Sequence, residues 1–576
     1  MKRLSYILLV TFAAMVGCKK GWLDINTDPN NPTVASLPQM LVAAQQGLAY
    51  DMGFNNDNRG ARGLTEVLSV YMHQVTVRED QDQYGATGTD FSINNSWNDF
   101  YSAQSVNGLP DYVGCLENIS VMIAQAEAGG NHIYAGIGRI MRAYGVSQFV
   151  DAFADVPYSE ANQFATNGLR YPKFDKGQDI YTDLFKQLDQ GIAELQATGG
   201  NELVPSADDL FYGGSPAAWI RLANTIKLKL YNQIRLTTNV SAEVTALVNS
   251  GNLISSWSQS FLMKYGKNPS PDDRNPGFSE YFATQKSHYQ SPWFFEILKG
   301  INPNIFTGIT DPRIPYYFYN QNTVDGVSQG LGTDYRDSAF ISIYFGSTGP
   351  NRDKSQDQSM TVFGIYPVGG RYDQGDHIVV NASSGTGAAP LRLLTYADVL
   401  YIEAELMNVG LIGGDARATL KSAILESFSQ VDNVVNLANG GQTIPKLVGG
   451  PDTAYTNQVL AVYDAATTAT RRLEIIITEK WIQSFGFSGD QYTDYRRTGY
   501  PIIFDPNNPQ MAPGGYAQPP INGDPSNPGV PQPKVRVVCL RKYPVSLPWP
   551  ATELNVNPNA PPQKTPDSYF VFWDKQ

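Results

Sequence analysis

The stretch DKGQDIYTDLFKQLDQGIAELQA, residues 175–197, decides the fold class. Its apolar side chains Ile180, Leu184, Leu188, Ile192 and Leu195 recur at steps of three and four, which places them on one face of an α-helix. Residues 216–236 repeat the pattern, with Ile220, Ala223, Ile226, Leu230 and Ile234 on one stripe. Two amphipathic helices so close in sequence must cover each other or a shared neighbour, because neither can bury its stripe alone.

Working outward, Ser36 reads as an N-cap before Leu37-Pro38, opening a helix that runs to about Gly53. Helical patterns also cover residues 66–73, 132–153, 395–407, 415–428 and 465–485, and residues 94–128 hold two helices broken near Gly108-Leu109-Pro110. The neighbouring pairs suggest helix–turn–helix stacking of the tetratricopeptide kind, although the repeat consensus itself is not evident. Residues 252–391 change character, being rich in Gly, Asn, Asp and Tyr. Strand signals are weak and confined to short ribbons at residues 335–345 and 534–540, while the Pro/Gly/Asn-rich run 507–533 reads as a long surface excursion. The expected fold is mostly α: helix pairs, a large loop-rich region and minor short strands.

Composition narrows the function. The 576 residues include 42% hydrophobic and 17% charged side chains, so the chain can bury a sizeable core. A net charge of −12 excludes a general nucleic-acid binder, which needs clustered Lys and Arg to neutralise phosphates. Three Cys and four His leave little material for zinc sites. Lys2-Arg3 followed by the apolar run Leu4 to Val16 has the size of a signal-peptide core, and Met15-Val16-Gly17-Cys18 resembles a bacterial lipobox with Met at the usual Leu position. This predicts a signal peptide over 1–17, a lipid anchor on Cys18 and a turn-rich tether over 18–35. The alternative is an ordinary secretory signal with an incidental Cys. The remaining Cys115 and Cys539 are expected as buried free thiols, with a disulfide as the other reading.

Several segments, in order along nearly the whole chain, resemble the SusD/RagB family of outer-membrane nutrient-binding lipoproteins. They are Trp22-Leu23-Asp24-Ile25-Asn26-Thr27-Asp28-Pro29-Asn30 after the anchor; Ala143-Tyr144 with Phe153-Ala154-Asp155-Val156-Pro157-Tyr158, similar to the family's GDxPY turn but with Ala154 for Gly; Trp219 to Asn224 with Lys227-Leu228-Lys229-Leu230; and Asp311-Pro312-Arg313 with Tyr316-Tyr317. Leu394 to Leu400 with Glu403-Ala404-Glu405 follow, then Glu479-Lys480, Gly489-Asp490 and Asp494 to Gly499, with Lys480 where Arg is common, and finally Pro548-Trp549-Pro550 with Glu553 to Pro558. The resemblance implies one SusD-like domain over 36–576: a helical scaffold at about 36–250 and 392–500, a loop-rich ligand region at about 252–391 and an irregular C-terminal part, 501–576. It further implies a surface-exposed, lipid-anchored outer-membrane protein. Such a protein captures an oligosaccharide or peptide, passes it to a SusC-like TonB-dependent transporter and performs no catalysis.

Most matching residues read as structural. Asp398, Glu403 and Glu405 share one helix, and Arg471, Arg472, Glu474, Glu479 and Lys480 share another, at spacings that permit ion pairs within and between helices. Trp219 sits on an apolar stripe and reads as core. Glycan capture needs flat aromatic faces with amide and carboxylate partners nearby. Tyr84 in a polar loop, Trp97-Asn98 just beyond it, and His288, Tyr289 and Trp293 have that composition and are the candidate ligand residues, with loop-to-core anchoring as the alternative for Trp97 and Trp293.

Other site chemistries fit poorly. Gly326-Val327-Ser328-Gln329-Gly330 spells G-x-S-x-G, but its polar, turn-forming flanks lack the strand and helix of a nucleophile elbow. Asn55-x-Asp57-x-Arg59-Gly60 with Glu66 imitates a calcium loop, yet Arg59 stands where an oxygen ligand is wanted, and Asp80-x-Asp82 lacks the closing Glu. No cofactor is expected, with calcium left open. The rival functions are a surface-anchored glycoside hydrolase or peptidase of the same uptake system, for which no carboxylate pair is selected by pattern, and a structural subunit without ligand.

Overall fold

The computed structural model describes residues 35–54, 63–77, 83–84, 91–101, 114–197, 199–200, 203–283, 286–322, 334–348 and 359–575. The signal and tether segments with Cys18, the calcium-like Asn55–Gly60 and Asp80–Asp82, and the G-x-S-x-G stretch lie outside these residues.

Helices dominate, as the periodicity predicts. The first group comprises α1 (Leu37–Met52), α2 (Leu64–Tyr71), α3 (Phe91–Tyr101), α4 (Cys115–Ala128), α5 (His132–Phe153), α6 (Gly177–Leu195), α7 (Pro216–Ile234) and α8 (Ser241–Asn249). Ser36 starts α1 with a capping box, its backbone N–H donating to Gln39 Oε1 at 2.9 Å. Ser215 and Pro216 start α7 in the same spirit, the Ser215 hydroxyl accepting from the Ala218 N–H. Neighbouring helices pack on one another: α4 on α5, α5 on α6, α6 on α7, α7 on α8. The α5–α6 crossing is close because Gly136 and Gly191 face each other; a Cβ on Gly136 would lie 2.8 Å from the Gly191 carbonyl oxygen.

The second group follows the loop-rich region. It contains α10 (Tyr396–Asn408), α11 (Ala416–Ala438), α12 (Pro451–Ala465), α13 (Ala469–Gln483) and α14 (Gly489–Thr498), while α9 (Pro292–Lys299) lies within the loop-rich region. Here α10 packs on α11 and α13, and α11 on α12. Most of these helices follow the sequence periodicity; α11 runs ten residues beyond its expected end, and α8, α12 and α14 were not expected.

The strands are short antiparallel pairs that tie segments together. Phe261–Met263 pairs with Leu391–Leu394, closing the loop-rich region at its two ends. Val75–Val77 pairs with His288–Gln290, stitching that region to α2. Tyr335–Asp337 and Phe340–Ser342 form the expected hairpin, and Tyr516–Ala517 with Val535–Arg536 closes the C-terminal excursion. One hydrophobic core runs from Leu37 to Trp573 through both helical groups and the loop-rich region. Among the described residues no helix is long and apolar enough to cross a membrane.

Three buried charge clusters join the scaffold. Glu405 on α10 accepts from Arg235 Nη2 at 2.7 Å and from Arg497 Nη2 at 2.9 Å, with Asn232 Nδ2 at 2.9 Å. Lys480 on α13 donates to Asp494 on α14 at 2.7 Å, and Lys229 on α7 lies 3.1 Å from Asp490. Arg313 is fully buried, bound to Asp311 at 2.6 Å, Glu479 at 3.1 Å and Ser427 at 3.0 Å, with its guanidinium over the Phe428 ring at 4.7 Å. The acidic and basic residues expected to pair along helices thus pair chiefly between them. Arg471–Glu474 and Arg497–Asp494 are pairs of the expected i,i+3 kind.

Candidate functional site

The site begins at Ser291-Pro292. Ser291 caps α9 and Pro292 occupies its first turn, so three aromatic residues in succession fan out from the helix start. Phe294 points inward, edge-on to Trp481 at 4.7 Å; Phe295 stacks on Phe340 of the hairpin at 3.8 Å and 9°. Trp293 turns the third way, its indole N–H donating to the Ile502 carbonyl at 3.0 Å and its ring 5.8 Å from Phe504. The left-handed Gly300, at φ 75°, ends the helix.

Trp293 lines a cleft of about 70 Å³. Tyr344 and Phe345, which follow the hairpin, and Phe504 supply its other rings; Met511, Ala517 and Gln518 come from the Pro-rich C-terminal excursion; Ser291 and Glu296 come from α9 and its cap. Three distant segments therefore meet at an aromatic-walled depression carrying one carboxyl and one amide. Burial pushes the Glu296 carboxyl up to about 8, against a hydrogen bond with Tyr335 and with help from the Asp337 charge. A second pocket, near Phe54 and Tyr265, offers only about 10 Å³, too little for a sugar ring.

The six predicted ligand residues divide. Trp293 is at the cleft. Tyr84 stands one layer behind it: its ring packs on Phe345 at 4.8 Å and on Tyr543 at 5.4 Å, and its hydroxyl meets His73 Nε2 at 3.1 Å. His73, itself 4.1 Å from the Phe345 ring, has its pKa lowered to about 3 by burial and is neutral at physiological pH. Strand pairing brings the 288–290 stretch beside residues 75–77, so the Tyr84 loop and the Trp293 stretch are neighbours. Tyr289 is wholly buried against Ile341, Ile343 and Met360. His288 is buried between Glu66, at 3.6 Å, and Glu280, at 3.9 Å.

Trp97 lies elsewhere, stacked near Phe174 at 5.9 Å and edge-on to Phe153 at 5.2 Å, with half-buried Asn98 beside it on α3. Tyr84, Trp97, His288 and Tyr289 thus have their rings covered by protein, because the apolar area of a ring in an ordered loop is most stable against the core. Asn98, only half-buried, carries no ring, and the cleft lining does not include it. The sequence reading did not single out Glu296, Tyr344, Phe345, Phe504 or Gln518. The available signal is the nearly continuous apolar run from Phe340 to Phe345, broken only by Ser342, which by itself predicts no more than a ribbon.

Trp219 is fully buried and donates to Asp209 at 2.8 Å, a core role as expected. Cys115 and Cys539 are buried free thiols. Among the described residues no cluster of three or more His, Cys, Asp or Glu could hold a metal ion.

A family model described as "Starch-binding associating with outer membrane", SusD-like, matches residues 29–518. Similar solved structures include a SusD homolog from Bacteroides fragilis, 17% identical over 94% of this chain and 100% of that one, with a TM-score of 0.59. A SusD/RagB family protein from Bacteroides thetaiotaomicron is 20% identical over 94% of this chain and 99% of its own, with a TM-score of 0.61. A chitin-binding SusD homolog from Flavobacterium johnsoniae is 19% identical over 81% and 87%, with a TM-score of 0.55. At such identities the likeness speaks for the fold alone. No curated protein matches the sequence.

Proposed function

Because the chain belongs to the SusD-like family, whose members associate with the outer membrane, we propose that it is a cell-surface carbohydrate-binding lipoprotein. It is anchored through Cys18, captures an oligosaccharide and delivers it to a SusC-like TonB-dependent transporter. The observation that carries the capture step is the cleft at Trp293, Tyr344, Phe345 and Phe504: aromatic walls with Glu296 and Gln518 as polar partners. Sugar C–H faces pack on such rings, while hydroxyls take the carboxyl and amide.

In this role the protein binds without hydrolysing, which the family's description as starch-binding supports. The lipobox supports the anchor and the family supports the transporter.

Two measurements test the reading. Isothermal calorimetry of the purified chain against starch- and chitin-derived oligosaccharides is expected to show binding, with no shortened products after long incubation. Extraction in mild detergent is expected to bring down a TonB-dependent transporter with the protein. Product release would make it a hydrolase, and a pull-down free of any such transporter would remove the delivery step.

A further inference from the structure

The shape and lining of the cleft say more than that a sugar binds. A buried water needs about 10–15 Å³ of accessible space, so about 70 Å³ admits on the order of five water-sized groups. That is one edge of a sugar ring with a substituent, not a stretch of polymer. The lining side chains are four aromatic rings, Met511, Ala517, Pro292 and three polar groups, Ser291, Glu296 and Gln518. Among the described lining residues there is no Lys or Arg. A uronate or sulfate seated there would lose its hydration and find no counter-charge, a cost that a buried anion escapes only by pairing.

We infer that this cleft recognises an uncharged end group of the oligosaccharide, with Glu296 serving as a hydrogen-bond donor to a sugar oxygen and Gln518 reaching the ring from the opposite arm. The inference rests on the capture reading above and narrows it to neutral sugars.

The neighbours of Glu296 explain how a carboxyl can donate. From the hairpin side, Tyr335 hydrogen-bonds it and Asp337 adds negative charge. Asp337 is already held by Lys299 of α9, at 2.5 Å, so that cation is engaged elsewhere. Tyr344, beyond the hairpin, is itself held un-ionised by burial, with Glu296 and Asp334 opposing its charge further. The C-terminal arm contributes Met511, Ala517 and Gln518, none of them titratable. Burial among these groups keeps the proton on Glu296 up to a pH of about 8. Below that pH the carboxyl offers an O–H to a sugar oxygen; above it, a negative charge faces the ligand and the donor is gone.

The test is calorimetry of the full chain against hexamers of three kinds at pH 6.5 and pH 9: neutral (maltohexaose and the N-acetylglucosamine hexamer), anionic (hexagalacturonate) and cationic (the glucosamine hexamer). A neutral hexamer is expected to bind, the anionic one at least tenfold more weakly, and the neutral affinity to fall several-fold at pH 9. Glu296→Gln, whose amide donates at any pH, should bind with no pH dependence, and Glu296→Ala should lose about tenfold. Gln518→Ala, on the exposed arm, tests the cleft should either α9 variant fail to fold, and is expected to lose several-fold.

Tighter binding of the anionic hexamer, or of the glucosamine hexamer at pH 6.5, where its amines carry charge, would overturn the inference. Neutral binding that ignores pH, Glu296 and Gln518 alike would place capture at another surface, leaving the capture reading intact. Failure of every hexamer to bind would end both.

Discussion

The helical scaffold and the loop-rich region solve the same problem, holding distant segments together, by different means. The scaffold uses buried charge: Glu405 joins α7, α10 and α14, and the same device anchors the loop-rich region to it, where Arg313 ties its own turn to α11 and α13. The loop-rich region and the C-terminal excursion use aromatic contact, as in Phe295 on Phe340 and Phe504 beside Trp293, together with short strand pairs. Buried ion pairs demand fixed partners and fixed geometry. Ring packing tolerates exchange as long as volume and shape are kept. The difference assigns rigidity to the frame and variability to the surface that meets ligand.

The sharpest way to break this contrast is Arg313→Met. It would leave Asp311 and Glu479 buried together with their shared cation gone. Removing one partner of such a cluster costs about 3–5 kcal/mol, to be read as a fall in the urea midpoint. Carbohydrate affinity of the folded fraction should not change. A loss below about 1 kcal/mol would mean that ring packing, not charge, holds the frame.

Glu405 sharpens the same point through pH. Burial alone would raise its pKa, but Arg497 and Arg235 outweigh burial and hold the carboxyl well below the usual carboxylate range. A depressed native pKa gives stability that is present above the unfolded value near 4.5 and drains away as pH falls below it. Glu405→Gln keeps the shape and loses the charge, so at pH 7 it should cost roughly 2–3 kcal/mol. The gap to the wild type should narrow between pH 5 and pH 3 in denaturation curves taken across that range. A gap that widens on acidification would reverse the assigned sign.

Legibility in the sequence follows the same divide. The motifs that stand out, with Asp311-Pro312-Arg313, Glu405, Glu479-Lys480, Asp490 and Arg497, are the charge clusters of the frame and of its junction with the loop-rich region. Each residue type there is fixed by a partner, so it leaves a pattern. The helices were readable because a buried stripe must repeat at the helical period, as at Ile180, Leu184 and Leu188, all buried. The cleft was not, because it is assembled from residues near 293, 344, 504 and 518. No local spacing announces that they meet. Composition led to Tyr84 and Tyr289 as well as Trp293, yet a ring that faces a ligand and a ring that seals a loop look alike in sequence.

On the aromatic side, Phe295→Leu removes the stack on Phe340 while keeping an apolar side chain. The expected loss is about 1 kcal/mol, the usual worth of such a pair beyond its area, read as a thermal shift of about 2–4 °C or less in a chain of this size. A loss rivalling that of Arg313→Met would erase the distinction between the two regions.

The smallest effect should appear where the two regions meet. Ala154 follows α5 with φ 67° and ψ −85°, a backbone conformation that costs an L-residue about 1–3 kcal/mol. The corner is held there by the C-terminal segment: Leu547 N–H donates to the Ala152 carbonyl at 2.8 Å, Trp549 Nε1 to the Asp155 carbonyl at 2.8 Å, and the Tyr569 hydroxyl to the Asp155 carboxylate at 2.6 Å. Asp155 also accepts from Lys176 and from the Gly177 N–H. So many fixed bonds over-determine the turn, and the strain at Ala154 is tolerated because its neighbours are satisfied. Ala154→Gly removes the Cβ that makes the conformation costly, while adding backbone freedom to the unfolded chain. The second offsets the first only in part, and the net expectation is a gain of about 0.5–1 kcal/mol in denaturant unfolding, with no change in carbohydrate affinity. A destabilised variant would show that the Ala154 methyl, 2% exposed, is worth more as packing than its backbone costs. The corner would then belong with the ring-packed region rather than with the bonded frame.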